Sequence, residues 1–330
     1  MAEIIPGIYQ LQIPIPDNPL GHTNSYLVRG DNEYLLIDPG INTDEAFDTL
    51  KRGLSEIGIA IKAITRIIAT HAHGDHYGLA ERMKQLSQAR ILLHDKDRNL
   101  MNPWGLTMDE LMRHIVEWFQ SNGVPASEAS LPPEDTRNSR RPPPTSPDVI
   151  LHGGETISTG IFNLQVIWTP GHSPGHICLY EPNHKILFAG DHILPVITPN
   201  ISLYPQSPAN PLGDFLNSLN RVKQLDVNLV LPAHEHLFTD LVTRVEEIIQ
   251  HHKNRNSEIL ETLKPEPKTA YQISKEITWM PELGGVSFQD LEIWNKRMAV
   301  SEAMAHLEAM RVEGRVDKFS RDSIICYQCA

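Results

Sequence analysis

The most informative stretch of the chain reads Thr70-His71-Ala72-His73-Gly74-Asp75-His76. Residues 64–69 before it are mostly apolar and residues 77–86 after it have a helical pattern, so we expect a strand that ends here and a helix that begins. Side chains alternate along a strand, so His71 and His73 should point to the same face. Gly74 lets the backbone turn without a Cβ clash. Asp75 and His76 then return to the same space. Three imidazoles and a carboxylate exceed what one metal ion needs, and they predict a pair of metal ions in a shared pocket.

Three later polar side chains also follow apolar segments with strand character. His172 follows Thr169-Pro170-Gly171, Asp191 follows Phe188-Ala189-Gly190, and His234 follows Leu231-Pro232-Ala233. Each could lie at one edge of the sheets, beside the first cluster. His236, two residues beyond His234, is a competing ligand for the last position.

Composition limits the class of protein. The chain has 330 residues, 40% hydrophobic and 21% charged, with a formal net charge of -12. This length suits one large domain and a small one. The negative charge does not favour nucleic acid or an anionic membrane as a partner. No apolar run approaches the ~18 residues of a membrane span. Without a visible signal peptide or a disulfide framework, we expect a cytoplasmic protein.

The chain alternates strands and helices up to about residue 252. We expect two sheets packed together with helices outside, and an insertion at about 95–147 that contains a helix at 108–120 and a proline-rich loop at 131–147. Residues 253–330 differ, because they give three short helical patterns followed by two short strands, the outline of a winged helix. The predicted strands are 4–13, 24–28, 33–37, 64–70, 90–94, 161–169, 176–180, 185–189 and 229–231, and the main helices are 43–57, 76–87, 211–225, 238–252, 256–263, 269–277 and 294–310.

With its H-x-H-x-D-H pattern and the later His, Asp and His, the chain resembles the metallo-β-lactamase-fold hydrolases over roughly residues 4–250. The resemblance implies an α+β fold, a four-layer αββα sandwich, for residues 1–252, followed by a winged-helix-like domain at 253–330. The chain is most similar to the branch that carries such an appendage. By position, one metal ion would be held by His71, His73 and His172, the other by Asp75, His76 and His234, with Asp191 between them. Asp38 and His176 match positions that support ligands.

The ligand set implied by the resemblance, imidazole and carboxylate without thiolate, favours two zinc ions, with iron or manganese as alternatives. Two such ions lower the pKa of a bridging water towards ~7, and the hydroxide can attack an ester, thioester, amide or phosphoester. Asp75 can take the proton of the water and pass it to the leaving group. We therefore expect a dinuclear metal-dependent hydrolase of a small-molecule ester or thioester.

Two alternatives remain open. One is a metal-dependent ribonuclease or phosphodiesterase, since the branch includes a ribonuclease. The C-terminal 80 residues carry 11 Lys+Arg against 12 Asp+Glu, which does not give the basic stripe that phosphate backbones need. The other is a metalloprotein without catalysis. Trp104 and Tyr204 are candidate substrate-binding residues, in the insertion and in the loop 194–211. A homo-oligomer is compatible with the sequence, and the substrate is not identified by it.

Overall fold

The computed structural model describes residues 1–100, 107–129, 145–281 and 284–330. Trp104 and residues 131–144 of the predicted proline-rich loop lie outside these ranges. In the described ranges, no helix combines the length and the apolarity needed to cross a membrane.

The first sheet has seven strands, which follow one another in chain order across the sheet. Its first four strands pair antiparallel, and the last three join them in parallel. The strands are β1 (Ala2–Ile5), β2 (Ile8–Pro14), β3 (His22–Arg29), β4 (Tyr34–Ile37), β5 (Ile64–Ile68), β6 (Arg90–His94) and β7 (Val149–Leu151). The parallel pairs require helical crossovers on one face of the sheet.

The second sheet has five strands in the order β12-β11-β10-β9-β8. The strands are β8 (Thr156–Ser158), β9 (Asn163–Trp168), β10 (Ile177–Glu181), β11 (Ile186–Gly190) and β12 (Leu229–Pro232). Only β11 and β12 pair in parallel. Strands β9, β11 and β12 therefore run in the same direction, and the loops that follow them leave the sheet at the same edge.

Ten α-helices lie in the described part of the chain. They are α1 (Asp44–Glu56), α2 (Gly74–Tyr77), α3 (Ala80–Ser87), α4 (Asp95–Leu100), α5 (Met108–Ser121), α6 (Ala126–Ala129), α7 (Pro211–Val222), α8 (Leu241–Leu263), α9 (Ala270–Ser274) and α10 (Ile293–Val312). Helices α1 and α3 cover the first sheet, and α7 and α8 cover the second. A third apolar cluster, which includes Tyr26, Ile68, Leu179 and Phe188, lies between the two sheets. Both sheets are thus buried on both faces over much of their area.

The C-terminal part packs three helices and a hairpin around a fourth cluster. Helices α8, α9 and α10 are followed by β13 (Val316–Arg321) and β14 (Ile324–Cys329), which pair antiparallel. Phe119 and Val124, from the insertion, are buried in this cluster with Ile259 and Met304. The insertion therefore packs against the C-terminal helices.

The structure adds β7, β8 and α4 to the predicted elements, and three predicted elements have other bounds. The predicted strand 4–13 is two strands, because Pro6-Gly7 makes a turn and Gly7 has a φ of +94° that favours glycine. The helix after the histidine cluster is interrupted between α2 and α3. The predicted helices 238–252 and 256–263 form the single helix α8, whose buried face continues from Val245 to Ile259. Helix α8 thus crosses residue 252, the domain boundary that the sequence predicts.

Candidate metal centre

Four loops that follow strands bring seven candidate ligands to one edge of the sheets. The loop after β5, which begins with Ala69, carries His71 and His73 and leads into α2 with Asp75 and His76. The other three side chains follow β9, β11 and β12 and are His172, Asp191 and His234. The sequence therefore correctly anticipated that these side chains lie close together.

Three imidazoles form the first half of the centre. His73 Nδ1 lies 2.8 Å from His71 Nε2 and 3.0 Å from His172 Nε2. His71 is buried, whereas His73 is exposed at the rim. Their nitrogen atoms, one from each ring, all lie within 4.8 Å of one another. Nitrogen atoms at these separations can bind a single cation.

Two imidazoles and a carboxylate form the second half. Asp75 Oδ2 lies 3.6 Å from His76 Nε2 and 3.5 Å from His234 Nε2. Asp191 lies between the two halves, because its Oδ2 is 3.5 Å from both His172 Nε2 and His76 Nε2, and its Oδ1 is 3.3 Å from His234 Nε2. One carboxylate thus faces both groups of donors.

Backbone carbonyls orient two of the imidazoles. His172 Nδ1 donates to Asn200 O at 2.9 Å, and His234 Nδ1 donates to His22 O at 2.9 Å. A carbonyl oxygen only accepts, so the Nδ1 atom of each ring carries the proton. In the neutral rings, Nε2 then presents a lone pair to the centre. This is the tautomer that a metal ion requires.

Asp38 and Thr70 orient the first histidine cluster from behind. Asp38 Oδ2 lies 3.0 Å from His76 Nδ1 and accepts from Thr70 Oγ1 at 2.8 Å, while Asp38 Oδ1 accepts from Thr70 N at 2.7 Å. Thr70 Oγ1 then accepts from His71 Nδ1 at 3.1 Å. Asp38 has a φ of +50°, a strained conformation that functional sites retain. The buried carboxylate of Asp38 thus orients the ring of His76 directly and the ring of His71 through Thr70.

Asp97, on α4, joins the two loops that carry histidines. Its carboxylate accepts from Ala72 N at 2.7 Å, from Ser173 Oγ at 2.9 Å and from Gly175 N at 2.6 Å. Asp97 is fully buried, and this burial raises the pKa of its carboxyl group. The three donors satisfy the carboxylate and fix the first histidine loop relative to the loop of His172.

His176 supports Asp191. His176 Nε2 accepts from Asp191 N at 3.1 Å, and its Nδ1 lies 2.8 Å from Thr169 Oγ1. Gly190 has a φ of +53°, and a Cβ there would lie 2.6 Å from His176 Nε2. Glycine therefore allows the buried ring to contact the backbone just before Asp191. Asp38 and His176 lie behind the candidate ligands.

Burial and charge act in opposite directions on the imidazoles. Burial lowers the pKa of His71 well below its usual range and that of His172 to about 4. Burial would also lower the pKa of His234, but Asp191 and Asp75 raise it to about 10. The pKa of His76 is likewise held well above its usual range, against its burial, by Asp191 and Asp75. The two carboxylates of the second half, Asp75 and Asp191, therefore stabilise positive charge at this position.

The structure distinguishes His234 from His236, the competing candidate ligand. His234 is 1% exposed and faces both carboxylates, whereas His236 is exposed to solvent. Tyr204 lines the cavity beside the centre, and Trp104 lies outside the described residues. Two further residues of the centre, Asp97 and Asn200, were not predicted from the sequence. Asp97 could have been found by the signal that found the others, since it follows β6 closely, but Asn200 acts through its backbone carbonyl.

Buried polar atoms without a hydrogen-bond partner test whether the centre fits metal ions. Among the described residues, His76 Nε2, His234 Nε2 and Asp191 Oδ1 are such atoms, and all three point to the same space. Buried polar groups are normally satisfied. Imidazole and carboxylate donors in two adjoining groups fit two transition-metal ions. Fold and donor set together define a candidate centre for two metal ions at the edge of the two sheets.

A family model described as the metallo-β-lactamase superfamily matches residues 18–234. This is more than half of the chain, so the chain belongs to the metallo-β-lactamase superfamily and is a hydrolase. Its mixed α/β fold is that of the superfamily.

Relatives extend the match beyond the family model. The chain is 24% identical to a probable metallo-hydrolase, YqjP, of Bacillus subtilis over 325 residues, which cover 97% of each chain. It is 30% identical to an acyl-coenzyme A thioesterase, MBLAC2, of Gallus gallus over 65% of this chain and 73% of that protein. A metallo-β-lactamase family protein of Thermus thermophilus, TTHA1429, matches with a TM-score of 0.83, 31% identity and coverage of 99% and 100%. The matches to YqjP and TTHA1429 therefore include the C-terminal region of the chain.

Proposed function

We propose that the chain is a dinuclear metal-dependent hydrolase that cleaves an ester or thioester of a small molecule. The observation that carries this proposal is the pair of donor groups that share Asp191. His71, His73 and His172 would hold one ion, and Asp75, His76 and His234 the other. The donors favour zinc, with iron or manganese as alternatives. The thioesterase from Gallus gallus supports the choice of substrate class.

Bound metal ions would act as Lewis acids and lower the pKa of water near the substrate. The residues of the chain supply the remaining functions. Asp75 would accept a proton at Oδ and later give it to the leaving group, since it lies at the rim of the centre and lines the cavity. Asp191 holds the two donor groups at a fixed separation. Asn200 O and His22 O keep the imidazole protons away from the centre.

We also propose the finer architecture. The helices over the outer faces of both sheets support a four-layer αββα sandwich for residues 1–252. The C-terminal half of α8, followed by α9, α10 and the β13–β14 hairpin, supports a winged-helix-like domain for residues 253–330. Helix α10 of this domain contributes to the cavity, so we assign the domain a role in the active site.

The experiment is a substrate panel with the metal-loaded protein. Acyl thioesters, alkyl esters, lactones, phosphodiesters and RNA are compared at equal concentration, with Asp191→Asn as the inactive control. We expect turnover of an ester or thioester that the control lacks. Cleavage of RNA or phosphodiesters alone would replace the proposal with the phosphodiesterase alternative. Metal binding without turnover of any substrate would favour a binding protein.

A further inference from the structure

A cavity of about 580 Å³ opens beside the metal centre. One side carries His73, Asp75, His172 and Asp191. The apolar part of the lining, here called the wall, is formed by Ile15, Leu20, Ile41, Tyr204, Trp294 and Met298, and polar side chains that include Asn18, Thr43 and Gln206 also line the cavity. The volume is within the range of pockets that enclose a small molecule. A substrate that fills the cavity therefore places one part at the centre and another against an apolar wall.

Helix α10 contributes Trp294 and Met298 to this wall. The two side chains are four residues apart and lie on the same helical face. Both are half-buried, whereas the neighbouring Ile293 is 45% exposed and does not line the cavity. The C-terminal region thus reaches the cavity through one face of one helix.

Hydrogen bonds fix α10 against the metal side of the cavity. Leu203 N donates to Ser301 O at 3.0 Å, and Asn200 Nδ2 donates to Glu302 Oε2 at 2.7 Å. Asn200 is the residue whose carbonyl orients His172. The wall and the centre are therefore held at a fixed distance from each other. A pocket that discriminates between substrates by their chain length requires such a fixed distance.

Among the described residues, no basic side chain lines the cavity outside the metal centre to bind an anionic substrate. Within the described ranges, the lining includes Asp17, Asp75, Asp97 and Asp191 but neither lysine nor arginine. Phosphate groups are bound by clustered basic side chains or backbone N–H groups. An apolar acyl chain needs no such partner and gains free energy from burial against aromatic and thioether side chains.

We propose that the face of α10 with Trp294 and Met298 is the acyl-binding wall of the cavity, which selects neutral esters or thioesters with an apolar acyl chain. This proposal rests on the proposed hydrolase function. Each added methylene should raise kcat/KM by up to about fourfold until the cavity is filled.

The test compares Met298→Trp, Trp294→Ala and the control Ile293→Ala with the native enzyme. The readout is the ratio of kcat/KM for octanoyl and acetyl esters, and of the corresponding thioesters of a neutral thiol. We expect a high ratio for the native enzyme and the control, and a ratio at least tenfold lower for Met298→Trp, whose larger ring occupies the wall. Circular dichroism establishes that the variants fold. Equal ratios in all four proteins would overturn the proposal.

A second measurement separates this proposal from the proposed function. Calorimetry follows the binding of methyl ketones with alkyl chains of four to ten carbons, which are not hydrolysed. Affinity that rises with chain length and is lost in Met298→Trp supports the wall even if no ester is cleaved, in which case the hydrolase proposal alone fails. Affinity that does not depend on chain length overturns the wall, whatever the esterase activity.

Discussion

The molecule buries histidines in two regions that differ in their charge. At the edge of the sheets, His76 and His234 face the carboxylates of Asp75 and Asp191. Between α8 and α10, by contrast, His252 Nδ1 lies 3.2 Å from His306 Nε2, and His306 Nδ1 lies 2.7 Å from Asn256 Oδ1.

The second region is a neutral chain of hydrogen bonds. Asn256 Oδ1 accepts from His306 Nδ1, so His306 Nε2 accepts from His252 Nδ1 in turn. Burial lowers the pKa of His252 to about 3, whereas the carboxylates raise that of His234 to about 10. Burial of imidazoles alone therefore does not identify a metal site. A metal site is indicated instead by carboxylates that face the imidazoles and by donor atoms that converge on one point.

The largest effect should follow from removing the carboxylate shared by both donor groups. Asp191→Asn keeps the shape of the side chain but loses the charge that faces three imidazoles. We expect elemental analysis to give close to two transition-metal ions per native chain and less than one in the variant, with no detectable turnover. Asp317→Asn, in the exposed hairpin, is the control. Native protein that takes up no added metal would exclude a dinuclear centre.

Asp75→Asn tests whether this residue moves a proton as well as binding metal. The variant retains an oxygen ligand, and His76, His234 and Asp191 remain in place. We therefore expect a folded protein that keeps much of its metal but loses about 10²–10⁴-fold in kcat, as the loss of a general acid–base group costs. Near-normal kcat with full metal content would reduce Asp75 to a positional role.

His234→Ala and His236→Ala compare a buried and an exposed histidine two residues apart. We expect His234→Ala to weaken binding of the second ion by at least about 100-fold, because the loss of a ligand should cost more than the loss of a residue that only orients a ligand. His236→Ala should bind metal as the native protein does, because its side chain lies in solvent. Competition with a chromogenic chelator measures both affinities. The reverse order would assign the ligand to His236.

The sequence predicted the centre better than the cavity, for a physical reason. The candidate ligands follow four strands, and the ends of these strands are marked locally by apolar runs that give way to polar or turn-forming residues, such as Pro170-Gly171 before His172 and Ala189-Gly190 before Asp191. Trp294 and Met298 reach the cavity because α10 packs against the loop of Leu203, which is a contact between distant parts of the chain. The preference for His234 over His236 rested on resemblance alone, since two residues of one irregular loop carry no periodic signal. The burial of one and the exposure of the other now support that preference.

The smallest effect concerns the neutral region and its dependence on pH. The pKa of His252 is depressed in the folded state, so below pH 6.5 the unfolded chain binds a proton that the folded chain does not. The stability present above pH 6.5 is then lost as pH falls towards about 3. Between pH 6.5 and 5, the loss from this residue is about 1.6 kcal/mol, because the imidazole of the unfolded chain is already half protonated at pH 6.5. His252→Leu removes the titrating group, and its apolar side chain suits the contact with Phe215.

Urea unfolding measures this contribution. We expect the stability of His252→Leu to fall less between pH 6.5 and 5 than that of the native protein, by the amount that His252 contributes. His152→Gln, whose side chain is 67% exposed in the native protein, should retain the native dependence. Contributions from the metal centre are common to all three proteins and cancel in the comparison, so equal slopes would show that the pKa of His252 is not depressed in the folded protein.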